Sequence, residues 1–103
     1  MNHKTRTELA DRLTKEFANK GKLIEGGWAA FVVLNNPSKE QHDSLRHAFL
    51  AGVEHLFSSM VGPMLDSDYD PTDADMRRMD LLGREIFKIR EELILHYRKM
   101  DQE

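Results

Sequence analysis

The chain contains no cysteine. That excludes disulfides, thiolate zinc sites, iron–sulfur clusters and cysteine nucleophiles together. Small secreted domains usually rely on disulfide staples, so a cytoplasmic location is expected. No apolar run approaches membrane-spanning length, so no membrane partner is expected. The N-terminal MNHKTRTELADR has no apolar h-region, and no signal peptide is expected from it. A large excess of one charge is missing as well. The formal net charge of −3 lacks the basic footprint that non-specific DNA binding needs. It is also too mild for an acidic mimic of nucleic acid. No Gly-rich phosphate loop, nucleophile elbow, metalloprotease helix or helix-turn-helix signature occurs.

What is present fits a soluble helical protein. The 103 residues make one domain, 1–103. Apolar residues are 40% and charged residues 32% of the chain, a surface-rich balance. The central stretch, Ser38 to Leu65, organises the rest. Leu45, Phe49, Gly52, Val53, Leu56, Phe57 and Met60 recur at steps of three and four, the spacing of one helix face. Ser38 is placed to cap this helix, with Gln41 at the capping-box position. Gly62-Pro63 breaks it, and Met64 and Leu65 are expected to tuck back on the core.

Upstream, Thr5 with Glu8 reads as a capping box for a first helix carrying Leu9, Leu13 and Phe17, with Gly21 as its stop. Leu23 to Leu34 is ambiguous, because Trp28, Phe31, Val32 and Val33 also suit a strand. No second strand candidate exists to pair with it, so a short buried helix is the reading adopted. Gly26-Gly27 weakens such a helix by about 1 kcal/mol per glycine. Close backbone approach, to the Ala48–Gly52 face of the central helix, would explain them. Asn35-Asn36-Pro37 is a turn.

Downstream, Asp66 to Asp75 invites a calcium-loop reading. Pro71 stands where the loop glycine belongs and Arg77 where the bidentate glutamate belongs. A turn with Thr72 as N-cap and Asp73 and Asp75 facing the helix dipole fits better. The last helix, Asp73 to about Lys99, carries a heptad seam of Met79, Leu82, Ile86, Ile89, Leu93, His96 and Met100. Leu81 and Leu95, flanking Lys88, form a second, weaker apolar surface. The expected fold is an all-α compact bundle of four helices: two short N-terminal, one central and one long C-terminal. The seam predicts a homo-oligomer.

Two arginines fall inside apolar arcs: Arg46 near Phe49, Leu50, Val53 and Phe57, and Arg90 among Met79, Ile86, Leu93 and Tyr97. Such a group must find a carboxylate, reach the rim or bind an anion. An ion pair with Glu25, Asp43 or Glu85 is one reading. A cationic pocket for a phosphate or carboxylate is the other. Trp28 is either a core plug or a stacking platform beside Arg46. His42 and His55 join these as candidate ligand-binding residues. His42, His47 and His55 lack the i,i+4 spacing of a helical metal pair, and no metal or cofactor is expected. Ser58-Ser59 beside His55 specifies no catalytic arrangement, so no catalytic residue is assigned. Tyr69 is either a loop anchor or a recognition residue.

The stretches LIEGGWAAF, RHAFLAGVEHLF and DPTDADMRRMDLL resemble a group of small helical proteins from bacteria and their phages or prophages. The resemblance covers residues 20 to 95 and carries no activity with it. It implies a phage setting, in which small cysteine-free helical proteins act by binding. Blockers of host defence and sponges for defence nucleotides are examples. The expected function is accordingly non-enzymatic: an anionic, nucleotide-like ligand held by Arg46, Arg90, Trp28, His55 and His42. The alternatives are a protein–protein interaction module meeting a host protein through the last helix, and a small hydrolase.

Overall fold

A computed structural model describes residues 1–64 and 70–102. Asn2 starts the first helix, its Oδ1 accepting from the Thr5 backbone N–H at 2.9 Å. Helix α1 runs His3–Asn19. The cap is therefore three residues earlier than Thr5. Asparagine is as good an N-cap as threonine, and the earlier start adds most of a turn. At the other end, Gly21 has φ +75°. Its N–H donates to the Ala18 carbonyl at 3.0 Å and that of Lys22 to the Phe17 carbonyl at 2.9 Å. That double bond pattern is a Schellman stop, and it needs a residue tolerant of positive φ.

Helix α2 spans Leu23–Asn35, so the ambiguous segment is helical. Asn36 closes it in the left-handed region, φ 44°. Ser38 and Gln41 then exchange reciprocal bonds, backbone N–H to side-chain oxygen, both at 3.3 Å. The exchange closes a turn just ahead of helix α3, His42–Val61, whose N-cap is Gln41 and not the expected Ser38. Thr72 and Asp75 make a second reciprocal pair: the Asp75 N–H donates to Thr72 Oγ1 at 3.0 Å and the Thr72 N–H to Asp75 Oδ2 at 3.1 Å. Asp75 is fully buried and also accepts from Arg78 at 3.3 Å. Helix α4 follows, Asp73–Gln102. No strand occurs among the described residues. Leu65 and residues 66–69 of the aspartate-rich stretch, Tyr69 among them, lie outside the described residues.

Thr72→Ala is expected to cost about 1 kcal/mol by unwinding the first turn of α4. Amide exchange at residues 73–76 would report it.

The α1–α2 pair is the packed unit; α1 meets α4, and α2 meets α3, only locally. Gly26 is what lets α1 and α2 close. A Cβ there would lie 2.7 Å from Phe17 Cβ and 3.3 Å from the Thr14 backbone. The close approach is thus to α1 and not to the Ala48–Gly52 face. Gly27 does face that side, where a Cβ would meet Phe49 Cζ at 3.1 Å. Alanine at Gly26 gains helix propensity of about 1 kcal/mol but must separate two backbones. Gly26→Ala is expected to lose about 1–3 kcal/mol net. Gly27→Ala meets only a ring tip that can swing, and should fall within about 1 kcal/mol of neutral. Urea titrations of the two variants check the contrast.

The expected compact bundle is not formed by one chain. The radius of gyration is 16.2 Å, against about 13 Å for a compact chain this long. The long dimension, 46 Å, matches the roughly 45 Å of a straight 30-residue helix. Helix α4 extends past the packed unit, touching α1–α2 near its C-terminal end. There Tyr97 stacks on His3 at 5.8 Å and its hydroxyl accepts from Asn35 Nδ2 at 3.2 Å. Near its N-terminal end, Arg78 donates to the Met64 carbonyl at 3.1 Å. Between these ties α3 and α4 share no extended packing among the described residues.

Candidate functional site

Two features could carry function: the surroundings of Arg46, and the uncovered side of α4. Arg46 sits on the first half of α3 facing α2. Its NH2 donates to Glu25 Oε1 at 2.7 Å and its NH1 to Glu25 Oε2 at 3.2 Å. The fork matches the carboxylate geometrically. Its guanidinium carbon also lies 5.7 Å from the Trp28 ring centroid. Trp28 is buried and stacks on Phe31 at 5.4 Å, tilts against Phe49 at 5.7 Å and meets the edge of His42 at 5.2 Å. The indole is thus a core plug with a cationic rim.

The Arg46 hydrogen bond, first, holds the Glu25 carboxyl below its ordinary value of 4.5, against some desolvation. The same bond raises Arg46. Both side chains remain well exposed, 32% for Arg46 and 46% for Glu25, so solvent screens the pair. Its contribution is present above the ordinary Glu25 value and lost as pH falls through the lowered one. Glu25→Gln should therefore be less stable than wild type at pH 7, with a smaller difference at pH 3, below the ordinary value. Paired denaturant titrations at the two pH values check this.

Of the five residues expected to line a ligand pocket, Trp28, His42 and Arg46 come together. His55 is exposed, nine residues along α3 from Arg46 and so about 13 Å further on. Arg90 is exposed on α4, with no hydrogen bond, ion pair or ring contact to the cluster. It does lie within the apolar arc of its helix, but that arc is uncovered. The Ser58 hydroxyl donates to the Glu54 carboxylate. Among the described residues no three His, Asp or Glu side chains are grouped as a metal site.

The uncovered arc is wider than the heptad seam. At about 100° per residue, the apolar positions of α4 fill a sector of roughly 160°. Met76, Met79, Ile86, Phe87, Ile89, Leu93 and Ile94 are each 37–60% exposed within it. Arg90 is the single charged residue in that sector between Met76 and Met100. The last turns of α3 are also bare, with Leu56, Phe57 and Val61 exposed. Leu81 and Leu95 are half-exposed or more on the opposite side of α4. Phe87 and Ile94 lie off the strict a and d positions, so a seam count omits them. Plotting all 30 residues on a helical wheel brings them in.

No helix among the described residues is long and apolar enough to cross a membrane. Comparison with protein families, with curated proteins and with solved structures finds no match to this chain.

Proposed function

We propose that the protein is a helical interaction module that binds another polypeptide through the apolar arc of α4 and the adjoining end of α3. The arc itself supports this reading. An amphipathic helix with so wide a stripe belongs in a core, and among the described residues α4 is tied to the rest near its ends. Soluble monomers seldom leave apolar patches beyond a few hundred Å² uncovered. The test is light scattering combined with an apolar fluorescent dye. An assembly, or a monomer that binds the dye strongly, is expected. A monomer that binds no dye would contradict the reading.

A second reading has the convergence of Trp28, His42 and Arg46 in its favour: an anionic, nucleotide-like ligand held at that rim. Glu25 already accepts from both terminal nitrogens of the guanidinium, so it competes with such a ligand. A thermal-shift screen against cyclic and linear nucleotides should then give a stronger response for Glu25→Gln than for wild type. A flat screen for both removes this reading.

A further inference from the structure

Resting on the reading of α4 as an interface, we infer that its occupant is a second copy of this chain, with the two α4 helices side by side and parallel. The first support is area. The chain exposes 8300 Å². A compact monomer of 12.0 kDa exposes about 6000 Å². The surplus, on the order of 2000 Å² per chain, is far above the roughly 800 Å² that each partner contributes to a standard interface. It matches what each subunit of an obligate homodimer contributes, where totals run from about 2000 to 5000 Å². A partner met in passing would leave most of the surplus bare.

The second support is charge. With Met79, Ile86, Leu93 and Met100 at a and Leu82, Ile89 and His96 at d, Glu85 falls at g and Arg90 at e. Five residues apart on one helix, they cannot reach each other. Both are exposed, and neither has an ion pair within the chain among the described residues. In a parallel pair, g of one helix faces e of the next heptad of the other. Glu85 then meets Arg90 of the partner subunit, and two-fold symmetry repeats the contact. A fully overlapped antiparallel pair would instead set Glu85 against Glu92 of the partner subunit. The one charge inside the apolar arc thus acquires a carboxylate only through the parallel copy.

The third support is Gly83. It lies inside the arc, and among the described residues nothing beyond its own stretch of helix comes within 4 Å of where a Cβ would sit. A mid-helix glycine weakens α4, and nothing within the chain requires one there. It lines a shallow hollow with Met79, Asp80, Arg84, Phe87 and Lys88 at the polar edge of the arc.

Because the chain has no cysteine, each introduced thiol is a unique probe. Leu82→Cys and Ile89→Cys, made separately, place thiols at successive d positions; Arg84→Cys places one outside the arc. Sedimentation equilibrium of the unmodified chain at micromolar concentration should give twice the chain mass. Mild oxidation should yield covalent dimers for both d-position variants and none for Arg84→Cys. Arg90→Glu should weaken association about tenfold or more through like-charge opposition. Adding Glu85→Arg to Arg90→Glu should restore most of it. A dimer that cross-links at one d position only, or whose association ignores both charge changes, overturns the inference. So does a monomer. A monomer that still binds the apolar dye leaves the interface reading standing for a different partner, whereas one that binds none removes both.

Discussion

Trp28→Ala is expected to remove about 3–5 kcal/mol of stability. Trp28 and Ala10 are the only buried apolar side chains among the described residues. The indole is also the hub of the α2–α3 junction, touching Phe31, Phe49, His42 and the Arg46 guanidinium. Its removal leaves a hole that Phe31 and Phe49, 5.9 Å apart, cannot fill without moving α3. Domains this small hold roughly 5–15 kcal/mol in total, so the variant should be near the edge of folding. A urea titration followed by far-ultraviolet circular dichroism reads the loss. A decrease under about 1 kcal/mol would mean that the packed unit is not centred on Trp28.

Replacing Ile86 and Ile89 together by lysine should weaken self-association by at least roughly thirtyfold, the equivalent of one lost hot spot of about 2 kcal/mol. The two residues are 40% and 47% exposed in the single chain. If that were their working environment, lysine would change stability by no more than about 0.5 kcal/mol. In an assembled core the same ammonium groups are desolvated without partners, which is costly. The contrast between an unchanged single chain and an abolished assembly is therefore diagnostic. Helix content by circular dichroism should hold while the sedimenting mass halves.

Much of the local structure was legible in the residues. The reciprocal bonds of Ser38 and Gln41, the glycine stop after α1 and the Thr72 cap follow from short-range hydrogen-bond chemistry, which needs no tertiary context. The helicity of Leu23–Asn35 followed from the absence of a pairing strand. What local chemistry does not encode is which surface a helix meets. Gly26 shows this: its missing Cβ signals close approach, but only the fold reveals that α1 is what approaches. Arg46 and Arg90 show it more sharply. Both lie in apolar arcs, yet Arg46 meets Glu25 while Arg90 stands exposed, because α2 reaches the first turns of one arc and no described residue covers the other. Compactness failed for the same reason. Apolar periodicity tells that a face will be buried, not whether its own chain buries it.

Amide hydrogen exchange along α4 as a function of protein concentration tests this most directly. Among the described residues the ties to that helix lie near its ends, so the amides from Met79 to Leu93 should be weakly protected at high dilution. Their protection should rise steeply at concentrations where the mass doubles, while α1 and α2 stay constant. Strong protection of that stretch independent of concentration would mean that the chain covers α4 by itself, and the intersubunit core would be excluded.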